Sequence, residues 1–87
     1  MKLITLTKPL LDTTALSAIC APGDSILLRQ DAVYLCLQPG LTLPVPVLAL
    51  ASDVQWRNIA PQARIELIDD ARWVELSASA NQNLLWN

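Results

Sequence analysis

Short apolar segments recur along the chain between polar or proline-containing stretches, a pattern that predicts β-strands. Four such segments lie at residues 2–6, 25–29, 45–50 and 65–68. Residues 26–28 form an uninterrupted Ile-Leu-Leu run, which suits a strand covered on both faces, as in a parallel sheet. Pro44 and Pro46 place the third segment at a sheet edge or at a strand start. The Leu-Leu-Trp segment at 84–86 predicts a further short strand.

An amphipathic segment follows the first predicted strand. Residues 13–21 predict a helix with one apolar face, formed by Ala15, Leu16, Ile19 and Cys20. Asp12 is the predicted N-cap, because its carboxylate can accept hydrogen bonds from unpaired backbone N–H groups of the first turn. Pro22 and Gly23 are expected to end this helix.

Two further helices are predicted later in the chain. Ser52 or Asp53 is expected to cap a short helix, whose apolar residues are Val54, Trp56 and Ile59. Asp69 or Asp70 is expected to cap a helix over residues 71–80, with a buried face formed by Trp73, Leu76 and Ala80. Residues 33–37 fit either a short helix or an extended piece, and residues 38–40 predict a turn.

The alternation of strands and helices predicts an α/β fold, because parallel neighbouring strands need crossover connections. We expect one domain over residues 1–87, since a chain of this length cannot build a second core. The predicted architecture is a small open sheet of four or five mostly parallel strands with helices on both faces.

The composition is unusually apolar for so small a chain. Hydrophobic residues make up 53% and charged residues only 16%, with a mean hydropathy of +0.37. Prolines and glycine break the longest uncharged stretch, which argues against a spanning helix, and the first residues lack the apolar run of a signal peptide. The excess apolar surface therefore predicts contacts with partner subunits, because obligate interfaces resemble a domain core.

Charge and missing residue types exclude several functions. The net charge is −2, so a phosphate-gripping surface for nucleic acid is not expected. Histidine is absent, which removes the usual general base and the commonest metal ligand. Gly23 and Gly40 are the only glycines, so no standard glycine-rich phosphate loop is present. We expect no cofactor, no metal site and no catalytic residue of these kinds.

The two cysteines are the candidate nucleophiles, because a thiolate could carry persulfide sulfur. Cys20 is placed near a helix C-terminus, where the dipole disfavours a thiolate, and Cys36 has no basic neighbour in sequence. Both therefore fit a structural role better than a catalytic one. Asp69 and Asp70 could form a carboxylate pair for acid–base work, but helix capping explains their position.

Apolar residues near the end of the sequence are the candidate partner contacts. Leu84, Leu85 and Trp86 are too apolar to remain in water, so they either dock on the chain's own sheet or anchor a partner. Trp56 is the other candidate contact, because tryptophan is enriched at interface hot spots.

Several segments, taken in order, resemble the TusB/DsrH family. The segment at 23–34, G-D-S-I-L-L-R-Q-D-A-V-Y, is similar to the family's E-G-D, apolar run and Q-D-G-V signature. V-L-A-L at 47–50 followed by Asp53, I-E-L-I-D-D at 65–70 and W-V at 73–74 resemble later family segments. The start at 3–11, with Pro9 in register, and the final Trp86-Asn87 are also similar. Ala32 and the proline-rich loop at 38–46 depart from the pattern.

The resemblance implies a DsrE-like, Rossmann-type three-layer fold and a cytoplasmic heterohexamer with TusC-like and TusD-like subunits. Such a complex passes persulfide sulfur from a TusA-like donor to a TusE-like acceptor, for 2-thiolation of the tRNA wobble uridine. In the family picture the TusD-type subunit carries the catalytic cysteine, so this chain would be a non-catalytic or weakly catalytic subunit and not an enzyme by itself. The alternative is an independent thiol-dependent sulfurtransferase, or a sulfur-oxidation subunit of the DsrEFH type, that uses Cys20.

Overall fold

A computed structural model describes residues 1–9, 13–37, 43–61 and 65–86 of the chain. Its elements in chain order are β1 (Lys2–Leu6), α1 (Thr13–Ile19), β2 (Ser25–Leu28), a 3₁₀-helix (Gln30–Leu37), β3 (Val47–Leu50), α2 (Ala51–Trp56), β4 (Glu66–Ile68), α3 (Asp70–Ser79) and β5 (Gln82–Trp86). The predicted alternation of strands and helices is confirmed. The segment at 33–37, for which two predictions were open, belongs to the 3₁₀-helix.

The strands of the described residues form one five-stranded sheet in the order β4-β3-β2-β1-β5. All neighbouring strands are parallel. The chain moves outward from β1 to β4 and then returns through α3 to place β5 on the free side of β1. In that pairing Ile4 lies opposite Leu84 and Leu6 lies opposite Trp86. The predicted terminal strand is therefore present and forms one edge of the sheet.

Alternation along the strands divides the core into two clusters, one on each face of the sheet. On the first face, strand residues such as Ile4, Ile26 and Ala49 pack with residues of α1, the 3₁₀-helix and α2. On the second face, Leu3, Leu27, Leu48, Leu50 and Ile68 pack against Trp73 and Leu76 of α3. Helices thus cover both faces, and the predicted three-layer α/β architecture is confirmed. Among the described residues, three helical segments cover the first face, whereas α3 alone covers the second.

Helix capping follows the predictions at one helix and departs from them at another. The side chain of Asp69 accepts a hydrogen bond from the backbone N–H of Arg72 at 2.8 Å, which confirms it as the N-cap of α3. The predicted cap of α2 by Ser52 or Asp53 is wrong. This helix begins at Ala51 directly after β3, and its N-cap Leu50 makes no side-chain cap hydrogen bond. Asp53 instead accepts a hydrogen bond from the backbone N–H of Gln30 at 2.8 Å.

The boundaries of several elements also differ from the predictions. The first helix ends at Ile19, before the predicted end at residue 21. The third strand begins at Val47 and not at residue 45, because Pro46 has no N–H to donate to a sheet. The apolar face predicted for α3 is only partly buried. Its residues Trp73, Leu76 and Ala80 pack against the second cluster, but none of them is fully buried. The predicted cap at Asp12 and the predicted turn at 38–40 lie outside the described residues.

Candidate functional site

The terminal strand β5 divides its apolar residues between the two faces of the sheet. Leu84 and Trp86 are partly buried and pack against the first cluster. Leu85, between them, points to the second face and is 65% exposed. Two of its apolar side chains therefore dock on the chain's own sheet, and the third is left largely exposed.

Contacts between Met1 and Asn81, the residue directly before β5, hold this strand in place. The backbone N–H of Asn81 donates to the carbonyl of Met1 at 2.8 Å, and the amino group of Met1 donates to Oδ1 of Asn81 at 2.5 Å. The ladder with β1 then runs from the pair Lys2 and Gln82 to the pair Leu6 and Trp86. Although β5 is an edge strand, it is anchored at its amino end before the ladder begins.

Trp56, the other predicted contact, lies at the end of α2 and is 85% exposed. Burying a large aromatic side chain is worth about 1.5–3 kcal/mol, so its exposure leaves that free energy available for association. Other exposed large apolar side chains in the described chain are Tyr34, Leu37, Leu67, Val74 and Leu85. Part of the apolar surplus of the sequence is therefore exposed, on side chains that belong to the 3₁₀-helix, α2, β4, α3 and β5.

Cys20 lies directly after α1, with its thiol turned back onto the helix. Its Sγ donates to the carbonyl of Leu16 at 3.2 Å. Burial raises the pKa of the Cys20 thiol, the negative charge of Asp24 raises it further, and the positive charge of Lys2 acts in the opposite direction. The net direction disfavours the thiolate that sulfur transfer requires.

Cys36 is fully buried in the 3₁₀-helix and belongs to the first cluster. Burial raises the pKa of the Cys36 thiol above its ordinary value. Its position is that of a small core hydrophobe, because the surrounding side chains are apolar and solvent is excluded. Neither cysteine has the surroundings that activate a nucleophilic thiol.

A buried ion pair, which the sequence analysis missed, joins the amino ends of β1 and β2. Asp24 is 5% exposed, and its Oδ2 lies 2.9 Å from Nζ of Lys2. Its carboxylate also accepts hydrogen bonds from the backbone N–H groups of Lys2 and Ala21, each at 2.9 Å. The hydrogen bond from the Lys2 side chain and these two backbone donors lower the pKa of Asp24 to about 2.

The local backbone explains how Asp24 reaches these donors. Gly23 has φ +89°, a conformation that other residues adopt at a cost, and it turns the chain from α1 into β2. The Nζ of Lys2 also donates to the carbonyl of Ile19 at 2.5 Å, near the end of α1. The Gly-Asp pair before an apolar strand was the signal in the sequence, but its partner Lys2 is remote in sequence.

The carboxylates that follow the carboxyl ends of β2, β3 and β4 all make structural contacts. Arg57 pairs with Asp31 at 3.0 Å and with Asp53 at 3.6 Å. Asp69 caps α3, and Oδ1 of Asp70 lies 3.4 Å from the hydroxyl of Ser52. The pair Asp69 and Asp70 therefore has the arrangement of helix capping. Among the described residues no group of three or more metal-ligating side chains comes together.

Arg29 and Trp73 form a further contact that the sequence analysis did not predict. The guanidinium carbon of Arg29, just past the end of β2, lies 3.9 Å from the ring centroid of Trp73 on α3. A single charged residue directly after an apolar strand was the available signal. Its stacking partner could not be read from local sequence, because the two residues meet only when α3 packs on the second face.

Comparisons with known proteins place the chain among its relatives. A search of curated proteins found no match. Among solved structures, the crystal structure of the ychN protein from E. coli is similar, with a TM-score of 0.70, 17% sequence identity and 98% of each chain covered. This likeness confirms the DsrE-like fold. No helix of the described residues is long and apolar enough to cross a membrane. A family model described as DsrH-like protein matches residues 10–83, and the chain therefore belongs to the DsrH-like family.

Proposed function

We propose that the chain is a non-catalytic subunit of a cytoplasmic sulfur-relay complex that supports 2-thiolation of the tRNA wobble uridine. The observation that carries this proposal is the combination of an exposed apolar surface with two thiols whose pKa values are raised. Membership of the DsrH-like family supports the sulfur pathway. The proposed partners are TusC-like and TusD-like subunits in a heterohexamer, with a TusA-like donor and a TusE-like acceptor.

The absence of an activated thiol favours a structural role for this subunit. A persulfide carrier works through its thiolate, and enzymes usually lower the thiol pKa with a nearby cation or a helix N-terminus. Cys20 has Lys2 near it, but the Lys2 ammonium is already paired with Asp24 at 2.9 Å and bonded to the carbonyl of Ile19. In this proposal the reactive cysteine belongs to a partner, and the present chain supplies contact surface.

The second candidate function is sulfur transfer through Cys20, either by the chain alone or in a sulfur-oxidation complex. The observation in its favour is that Cys20 is partly exposed, whereas Cys36 is buried. Replacing both residues together, Cys20→Ser with Cys36→Ala, distinguishes the two functions. The structural role predicts that 2-thiouridine stays near the parental level in a complemented deletion strain, measured by mass spectrometry of tRNA nucleosides. Loss of thiolation in a normally assembled complex would show that a thiol of this chain takes part in sulfur transfer.

The role of the exposed apolar surface can be tested at Trp56. The variant Trp56→Ser removes a side chain that is 85% exposed, so the fold should be retained. We expect co-purification with the partner subunits to decrease by about tenfold or more, since hot-spot tryptophans contribute at least ~2 kcal/mol to binding. The matched control is Gln55→Ser on the same helix, which should leave co-purification unchanged. Equal recovery of partners with both variants would show that Trp56 is not a contact residue.

A further inference from the structure

We propose that the second face of the sheet carries a binding pocket for a small monocarboxylate, with Arg29 as its anion-binding group. An open pocket of about 270 Å³ lies there, between α3 and the strands β1 and β5. Its lining includes Thr5, Arg29, Trp73, Ser77, Asn83 and Leu85. This site is separate from both cysteines and from the exposed Trp56, and it shares Leu84 and Leu85 with the predicted partner contacts. Ligand binding by the pocket can nevertheless be tested independently of the proposed function.

The position of Arg29 is fixed by contacts that leave its charge without a carboxylate partner. Its backbone N–H donates to the carbonyl of Leu6 at 2.9 Å, and its guanidinium stacks over the ring of Trp73. The ion pairs among the described residues involve Lys2, Arg57 and Arg72. The Nε of Arg29 is buried and has no hydrogen-bond partner among the described residues. A buried donor without an acceptor is costly, and the guanidinium charge has no carboxylate partner in the part of the chain that the structure describes, so an anion in the pocket would supply the missing counter-charge.

Stacking on Trp73 favours a ligand that binds along the edge of the guanidinium. The ring occupies one face of the planar group, while the N–H donors lie in the plane. A carboxylate matches this fork with two parallel hydrogen bonds. Because Arg29 is the one charged residue in the lining, a single negative charge is neutralised and a second would be left unpaired. This charge balance favours a carboxylate over a phosphate dianion.

The remaining lining residues suit the rest of a small organic acid. Thr5 and Ser77 bring hydroxyl groups that can donate or accept, and Leu85 and the indole of Trp73 supply apolar contact. The amide nitrogen of Asn83 donates to the carbonyl of Ser77 at 3.1 Å, which ties β5 to α3 on this side. Ligand pockets usually measure about 300–1,000 Å³, and this pocket lies just below that range, so it suits a small ligand of roughly ten non-hydrogen atoms.

Benzoate is a suitable probe, with benzamide as its neutral isostere and sulfate as a compact dianion. Binding to the full chain, together with any subunits that co-purify, is followed by the indole N–H signal of Trp73 in NMR spectra. We expect benzoate to shift this signal and to bind at least tenfold more tightly than benzamide or sulfate. Equal binding of benzamide would overturn the charge argument, and tighter binding of sulfate would overturn the assignment to a monocarboxylate. These comparisons need no variant.

Variants then assign the charge to one residue. Arg29→Gln should weaken benzoate binding by roughly tenfold or more, because a charge-assisted hydrogen bond is lost. Arg29→Lys, which keeps the charge but not the planar fork, should give intermediate affinity. Arg72→Gln removes the same charge from α3 at an exposed position outside the pocket and should leave affinity unchanged. Benzoate binding that falls as much in Arg72→Gln as in Arg29→Gln would show a general charge effect and refute the site.

Discussion

Variants at two neighbouring leucines of β5 can distinguish the contribution of this strand to folding from its proposed contribution to partner contacts. Leu84 is partly buried against the first cluster, whereas Leu85 faces the other side and is 65% exposed. Replacing a fully buried leucine by alanine costs about 2–5 kcal/mol, so the half-buried Leu84 should cost about 1–2 kcal/mol. The variant Leu85→Ala should cost the isolated chain less than about 0.5 kcal/mol, because most of its surface is already in water.

These magnitudes predict a clear difference in thermal stability. A change of 1 kcal/mol shifts Tm by roughly 4–8 °C in a domain of this size, so Leu84→Ala should lower Tm by roughly 5–15 °C. Leu85→Ala should lie within about 3 °C of the parent. Both values can be measured by far-ultraviolet circular dichroism and checked by urea unfolding. Leu85 is also a proposed contact residue, so its variant should recover less of the partner subunits in a pull-down.

The opposite ranking would refute the placement of β5. If Leu85→Ala destabilises the isolated chain more than Leu84→Ala, the strand lies in the other register, because a shift of one residue exchanges the two faces. Equal and small effects would mean that the strand does not dock on β1. Either result would remove the structural basis for treating Leu85 as a surface residue.

Two further predictions follow from the titratable groups. The folded-state pKa of Asp24 lies at about 2, below its ordinary value of 3.8, so its ionised form stabilises the fold above pH ~4 and this contribution is lost as the pH falls to 2. Asp24→Asn should therefore show a smaller fall in the urea midpoint between pH 5 and 2 than the parent. An equal fall in the variant and the parent would contradict the role of the Lys2–Asp24 pair. Burial raises the pKa of both thiols, so iodoacetamide at pH 8 should modify Cys20 more slowly in the folded chain than in urea, and Cys36 more slowly still. Faster modification of Cys20 in the folded chain would indicate an activated thiol.

Much of the fold could be predicted because local sequence patterns, such as apolar runs and helix caps, indicate where strands and helices lie. The uninterrupted run in β2 indicated a strand buried on both faces, and Asp69 before α3 had the position and side chain of an N-cap. The start of α2 was predicted wrongly, because a polar residue at the right place usually marks a cap. Here β3 passes directly into the helix and Asp53 serves a different backbone N–H.

The contacts that define the candidate sites could not be predicted, because they join residues far apart in sequence. Lys2 meets Asp24 only when β1 and β2 align, and Arg29 meets Trp73 only when α3 covers the second face. The pairing of β5 with β1 likewise depends on the return of the chain through α3. Apolar periodicity indicates which residues are buried, but it does not specify which strand lies beside which.

The central claim is that this chain acts as a contact subunit, and its mass in solution tests that claim most directly. The tagged chain, expressed at its native level and purified gently, should be measured by native mass spectrometry with identification of every component. We predict a hetero-oligomer that contains TusC-like and TusD-like subunits in equal number with this chain, at a mass expected for a heterohexamer. A stable monomer that does not associate with these subunits when they are added would contradict the account.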